Sequence, residues 1–296
     1  MGWKICNIHP GYGFAIMLIL VTGGSGFIAR KLIPKLLSLK HEIAIFDICS
    51  SQIKSLSWFG RVQFYKVDIA CNEVDDIIEN IRPNILIHLA WANLPNYQNA
   101  IHIKNNLSSH ITFLNKIIES GTKKIIVSGT CLEYGLINGC ISEHMMPKPV
   151  TYYGFAKNQI RLALDFLQTK HKFTYHWFRI FYVYGEDQNP KSLYPSLINA
   201  IKNNKKYFKM SSGEQIRDFI HIDDVIKYFY LAVKNDVING AINLSSGKGQ
   251  KVIEFVNEII LKHNSNIIVD NTCYKTPDYE PFEFWGCNKK LLEITE

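Results

Sequence analysis

The sequence predicts an α/β fold, a doubly wound parallel sheet followed by a smaller C-terminal α/β lobe. Three observations predict it. Strand-length apolar runs alternate with helical stretches from Leu18 to Ile180. The crossovers between them, roughly 10–20 residues each, suit parallel neighbours. The first run, Ile19-Leu20-Val21-Thr22, passes into a glycine turn that opens a helix, as in a phosphate-cradling strand–turn–helix unit.

That first unit carries the most information. Four apolar or β-branched residues suit a strand buried on both faces. Gly23 permits a sharp turn, and Gly26 lets backbone approach a pyrophosphate with no Cβ in the way. The helix opening there offers unpaired N–H groups to an anion, and Ala29 is small enough for close helix–strand packing. Asp47 ends the next apolar run, Glu42 to Asp47. Its carboxylate can accept from both hydroxyls of an adenosine ribose and would repel a 2′-phosphate. The expected cofactor is therefore NAD(H), with Arg30 just past the glycines keeping NADP(H) open.

Leu32, Ile33, Leu36 and Leu37 give the first helix its apolar stripe, and Pro34 within it should kink or shorten that helix. Residues 62–68 alternate as a third strand, 74–81 have helical period, and Ile85-Leu86-Ile87-His88-Leu89-Ala90 reads as a fourth strand after Arg82-Pro83. A long helix over about 101–120 closes at Gly121. A strand at 124–128, a helix at about 154–171 and a strand at 175–180 follow. Beyond Phe181 the rhythm breaks, and Tyr, Phe, Pro and Gly become denser, as expected of a lobe over the carboxyl ends of the strands. The expected division is an extension at 1–16, a dinucleotide-binding domain at 17–181 with parts of 218–245, and a substrate lobe at 182–217 and 246–296.

Composition excludes several classes. At 296 residues and 47% hydrophobic the chain can bury a large core. Seven cysteines, odd in number and without a C-x-x-C pair, point to a reducing compartment and not to disulfides or zinc. The histidines include no H-E-x-x-H, so no metal is expected. The net charge of +7 is spread over the chain, which reads as a solvated surface suited to anionic small molecules and not as a nucleic-acid interface. The apolar run 14–21 ends inside the glycine turn and is too short to span a bilayer; neither a signal peptide nor membrane attachment is expected, and the location is cytoplasmic.

Tyr153 and Lys157, four apart, share one helix face. An ammonium beside a phenol favours phenolate, drawing the tyrosine down from its usual value of about 10 toward working pH. Such a tyrosine can exchange a proton with a hydroxyl or carbonyl oxygen.

With these residues in hand, the chain resembles the extended short-chain dehydrogenase/reductases of the NAD-dependent epimerase/dehydratase family, which act on nucleotide-activated sugars. The resemblance runs from Leu18 to about Leu292 and implies a Rossmann domain with a substrate lobe. Thr22-Gly23-Gly24-Ser25-Gly26-Phe27-Ile28 resembles the family's cofactor fingerprint, Asp68-Ile69 the element beside the adenine, and His88-Leu89-Ala90-Trp91 the strand end lining the cofactor. Ser128 to Gly135 resembles the segment carrying the catalytic hydroxyl, which places Thr130 in that role beside Tyr153 and Lys157. Lys157 would also hold the nicotinamide ribose. Arg217-Asp218 resembles the element whose arginine grips the nucleotide diphosphate, the alternative being an ion pair of Arg217 with Asp218.

The departures narrow the reading. Sugar dehydratases of the family follow the threonine with an acid and a base; here stand Cys131 and Leu132. Tyr182 stands where many relatives have an asparagine on the substrate. What the resemblance implies is reduction of the C4 ketone of a nucleotide-linked 4-keto-6-deoxyhexose, in deoxysugar biosynthesis of the O-antigen kind. The alternatives are a C4 epimerase, and a degenerate fold serving as a binding module. It also implies a homodimer through the helices near 101–120 and 154–171.

Overall fold

The computed structural model describes residues 16–235, 238–275 and 278–294. Most of the expected extension, residues 1–15, lies outside them. Seven parallel strands build the central sheet: β1 Leu18–Thr22, β2 Glu42–Asp47, β3 Gln63–Lys66, β4 Ile85–His88, β5 Lys124–Thr130, β6 Thr174–Ile180 and β7 Gly240–Leu244. Their order is β7-β6-β5-β4-β1-β2-β3. The strand order reverses between β1 and β4, and a crevice forms at such a switch point.

Alternation along the strands feeds two apolar layers. Ile19, Val21, Ile43 and Ile45 face helix α1 (Phe27–Leu37), while Leu20, Ala44 and Phe46 face the opposite layer. That layer holds α2 (Glu73–Ile81), α3 (Ser108–Glu119) and α4 (Tyr152–Gln168). Helix α5 (Ile222–Lys234) returns to the α1 side. The smaller lobe has a four-stranded sheet in the order 250–251, 216–217, 283–286, 139–141. Gly139–Ile141 follows β5 directly, so the segment after Thr130 is tied to the lobe by strand pairing.

Three expectations change. Pro34 neither ends nor shortens α1, which runs three residues past it. The proline is on the exposed side, where water can take the carbonyl that the missing N–H leaves free. The helix expected over 101–120 opens as a π-helical turn, His102–Leu107, before α3. And β5 extends to Thr130, so the expected catalytic hydroxyl stands on the strand's last residue and not in a loop. Among the described residues, no helix is long and apolar enough to cross a membrane.

Lys124 begins β5 and is buried. Its Nζ donates to the carbonyls of Ala232, Val233 and Asn235 at the end of α5, at 3.2, 2.8 and 3.0 Å. A cation there meets the negative end of the helix dipole and its orphan carbonyls. We expect Lys124→Met to lower unfolding free energy by about 2 kcal/mol in urea titration, the scale of a charge-assisted hydrogen bond. Dinucleotide affinity should not change; a midpoint identical to that of the parent would contradict this account of the helix end.

Candidate active site

Two clefts open at the carboxyl ends of the strands. The first, about 400 Å³, is lined by Gly23, Ser25, Gly26, Asp47, Asp68, Ile69, Leu89, Ala90 and Trp91 among others. At its floor the β1 turn lies against the end of β4: a Cβ on Gly23, whose φ is +75°, would sit 2.8 Å from the Ala90 nitrogen. Gly26 caps α1 without a side chain, leaving the first N–H groups of the helix for an anion. Asp47 is buried and accepts from the N–H groups of Ser25 (2.8 Å) and Cys49 (2.7 Å). It is thus fixed at the wall with lone pairs to spare. Arg30 is turned to the Ser25 carbonyl (2.7 Å) and Gln52 (3.3 Å) and lies outside the cleft lining. The glycine cradle, bare helix start and held carboxylate fit a dinucleotide. Phe27 and Ile28, by contrast, pack their side chains on the core and can contribute only backbone here.

The cleft floor is pinned by a buried hydrogen-bond chain. Thr22 Oγ1 accepts from Leu89 and Ala90 N–H, both at 3.2 Å. Its one proton therefore goes to His88 Nδ1 (2.8 Å), and His88 Nε2–H donates to His110 Nδ1 (2.7 Å). This tautomer requires a neutral His88. Burial first, then the charge of Lys157, lowers its pKa to about 3.

The second cleft, about 590 Å³, is lined by Tyr97, Thr130, Cys131, Leu132, Tyr182, Arg217, Tyr279 and Glu280 among others. Tyr153 touches a ring from each cleft: Trp91 of the first and Tyr97 of the second, both with centroids at 5.5 Å. Lys157 donates to the Ser128 carbonyl (2.7 Å), and its ammonium lies 4.0 Å from the centre of the Trp91 ring. Thr130 thus lines the second cleft, while Tyr153 and Lys157 lie buried against Trp91 and line neither cleft.

One expectation about their chemistry is corrected, and the alternative offered for Arg217 is removed. Tyr153 is not drawn toward phenolate. Burial dominates and, with Tyr97, Glu133 and Cys131, pushes its pKa up, opposed only by a hydrogen bond from Thr130. Lys157 Nζ is 5.9 Å from the Tyr153 ring centre, and burial lowers its own pKa to about 7. Nor does Arg217 pair with Asp218. It pairs with Glu280 (Nη2 to Oε2, 2.9 Å), donates to the carbonyls of Ile216 (2.9 Å) and Phe282 (3.1 Å), and lies 5.3 Å over the Tyr182 ring. Asp218 instead accepts from the N–H groups of Ser246, Gly247 and Gly286.

Sequence reasoning missed Glu280, Glu133 and His102. His102 sits on the π-helical turn, accepts from Trp91 Nε1 (3.2 Å) and lies 5.5 Å from the Tyr153 ring. Only the irregular helix start could have flagged it. Among the described residues no cluster of His, Cys, Asp and Glu could hold a metal ion.

Residues 19–245 match the NAD dependent epimerase/dehydratase family. The chain is 31% identical over 277 residues to a dTDP-6-deoxy-L-talose 4-dehydrogenase (NAD(+)) of Aggregatibacter actinomycetemcomitans, covering 91% of this chain and 99% of that one. It is 24% identical over 290 residues to a CDP-abequose synthase of Yersinia pseudotuberculosis, covering 94% and 97%. In fold it is similar to a UDP-N-acetylglucosamine 4-epimerase from Methanobrevibacter ruminantium M1, with a TM-score of 0.85, 24% identity and coverage of 96% and 93%.

The neutral His88 has a measurable consequence. Its folded pKa lies below the unfolded value of 6.5, so its contribution to stability is complete above about pH 6.5 and is lost as pH falls toward 3. In urea titrations between pH 7 and 4, His88→Asn should flatten the acid decline, by at most about 1.4 kcal/mol per pH unit. Parallel curves for the two proteins would show that the histidine is not held neutral.

Proposed function

The chain belongs to the NAD-dependent epimerase/dehydratase family, and we propose that it reduces the C4 ketone of a nucleotide-linked 4-keto-6-deoxyhexose. The observation that carries this reading is the place of Tyr153, packed between Trp91 of the first cleft and Tyr97 of the second, with burial keeping its phenol protonated. Reduction needs an acid at the carbonyl oxygen, and a phenol kept protonated by burial is one. When bound, the dinucleotide supplies the hydride. Thr130 and Tyr153 orient the carbonyl oxygen, and Tyr153 gives it a proton as C4 takes the hydride. Lys157, its Nζ 5.9 Å from the ring centre, then stabilises the phenolate left on Tyr153. Arg217, lining the second cleft, would take the substrate diphosphate by exchanging its pairing with Glu280 for a bidentate contact, and Tyr182 beneath it would set the pose. The relative acting as a 6-deoxytalose 4-dehydrogenase supports the same bond changes in reverse.

Dehydration is disfavoured at Cys131 and Leu132. Leucine cannot move protons, and burial pushes the Cys131 thiol up, far from a base. A C4 epimerase is the second reading, favoured by the structural likeness to an epimerase and by an identical demand for Thr130, Tyr153 and Lys157.

Offered a preformed 4-keto-6-deoxyhexose nucleotide, the protein should oxidise one NADH per sugar and give a 4-hydroxy product. Tyr153→Phe should lose this turnover at least a hundredfold, while dinucleotide affinity stays within a few-fold. Interconversion of hydroxy sugars without net NADH loss would decide for the epimerase.

Asp47 supports NAD(H) over NADP(H). Catalytic efficiency should be higher with NADH, and Asp47→Ala should narrow the gap by roughly tenfold, about 1.4 kcal/mol, in parallel assays. A parent enzyme that prefers NADPH would overturn this.

We also propose a homodimer. Tyr152, Phe155, Leu162 and Phe166 are exposed along α4, and their spacing puts them on one face. Phe166→Glu should halve the mass seen by light scattering at micromolar concentration; a parent that is itself monomeric would dispose of the dimer.

A further inference from the structure

Behind Thr130 lies a fully buried carboxylate that the mechanism above does not use. Glu133 closes the single 3-10 turn that follows β5, Cys131–Glu133. Its Oε1 accepts from the Thr130 N–H (2.9 Å) and from Trp177 Nε1–H (2.8 Å). Its Oε2 accepts from Arg179 Nε–H (2.8 Å). Arg179, buried too, donates through Nη1 to the Tyr134 hydroxyl (2.8 Å), which donates to Asn243 Oδ1 (2.7 Å). A buried carboxylate is tolerated only when paired and hydrogen-bonded, and here donors from β5 and β6 converge on it.

Space is kept open for this arrangement. A Cβ on Gly129 would lie 2.8 Å from Glu133 Oε1 and 2.2 Å from Trp177 Nε1. A Cβ on Gly154, one residue past Tyr153, would lie 2.5 Å from the Leu132 carbonyl. Gly135, with φ +74°, brings the same turn against the Lys148 carbonyl. The turn is therefore clamped from three sides.

The clamp has a directional result. With its N–H tied to Glu133, Thr130 also accepts at Oγ1 from Leu132 N–H (3.2 Å). Its single hydroxyl proton is left for a partner on the Tyr153 side, where Thr130 acts to lower the Tyr153 pKa. We propose that Glu133 is a positioning residue: held by Arg179 and Trp177, its carboxylate fixes the turn that aims the Thr130 hydroxyl at Tyr153. Its negative charge also acts on Lys157, countering the effect of burial there. This rests on the reading that Thr130 and Tyr153 act together on the substrate oxygen.

The test uses the full chain with NADH and dTDP-linked 4-keto-6-deoxyglucose, with rates normalised to the fraction of protein that binds dinucleotide. Glu133→Leu with Arg179→Met removes the carboxylate together with the guanidinium it would strand. In this variant kcat should fall at least a hundredfold, with KM and dinucleotide Kd within about threefold of the parent. Trp177→Phe loosens the same carboxylate without removing charge and should lower kcat two- to fivefold; it keeps the test open if the double variant does not fold. A normalised kcat within threefold of the parent in the double variant, or no change in Trp177→Phe where only that variant folds, would overturn the proposal. So would a loss of rate matched by an equal loss of dinucleotide binding, which marks a merely structural role.

A second readout needs no substrate. Lys157 faces Tyr153, His88 and His110 as well as Glu133. In lysine-selective NMR, assigned with Lys157→Ala, loss of Glu133 should move its titration midpoint down from about 7. An unmoved midpoint counts against Glu133 itself. Absence of turnover by the parent with the midpoint shifted counts against the reaction and not against Glu133.

Discussion

A parallel sheet obliges every crossover to return the chain to the same edge, so all strand ends with chemical duties open on one side. In this protein β1, β2 and β4 end at the first cleft and β5 at the second, and the sequence at each end is specialised: Gly23 after β1, Asp47 closing β2, Leu89 to Trp91 after β4, Thr130 closing β5. The rest of the site depends on how tightly neighbouring ends are held. Thr22 holds the ends of β1 and β4 together through two backbone N–H groups and His88. At the next strand, Glu133 holds the end of β5 to Trp177 and Arg179 of β6. Each lock uses a buried polar group with its partners satisfied, which is the condition for such groups to rigidify a fold.

Burial is also what sets the protonation states. The site has few charges, and most of its titratable groups are pushed toward neutral forms: His88 and His110 down, Tyr153 and Cys131 up, Lys157 down to about 7. A tyrosine in such surroundings is an acid before it is a base. That is the reason the reductive direction fits Tyr153 better than a ready-made phenolate would, and why the thiol at 131 makes a poor substitute for the acid–base pair of a dehydratase.

Much of this was legible in the sequence because it is local. The glycine turn, the strand-end aspartate and the four-residue spacing of Tyr153 and Lys157 each depend on a few consecutive residues; Gly23, Gly26 and Asp47 line one cleft and Thr130, Tyr182 and Arg217 another, while Tyr153 and Lys157 line neither. What escaped depends on distant partners or on dielectric. Glu280 reaches Arg217 across 63 positions, and Trp177 reaches Glu133 across 44. The Tyr153 pKa was expected to follow Lys157, its neighbour on the helix, yet desolvation outweighs that charge. Pro34 misled for the opposite reason. Its local rule is sound for a buried helix interior, but Pro34 is exposed and α1 runs three residues past it, where water can take the freed carbonyl.

We propose that Tyr153 protonates a C4 oxygen while hydride enters at C4 of a nucleotide-linked sugar. The most direct measurement supplies NADH deuterated at its transferring position together with a 4-keto-6-deoxyhexose nucleotide, and locates the label in the product by NMR and mass spectrometry. The account predicts one deuterium, at C4 of a 4-hydroxy sugar, and none in the product formed with unlabelled NADH in deuterated water once exchangeable positions are washed out. Label absent from the sugar, or found at any carbon other than C4, would contradict it.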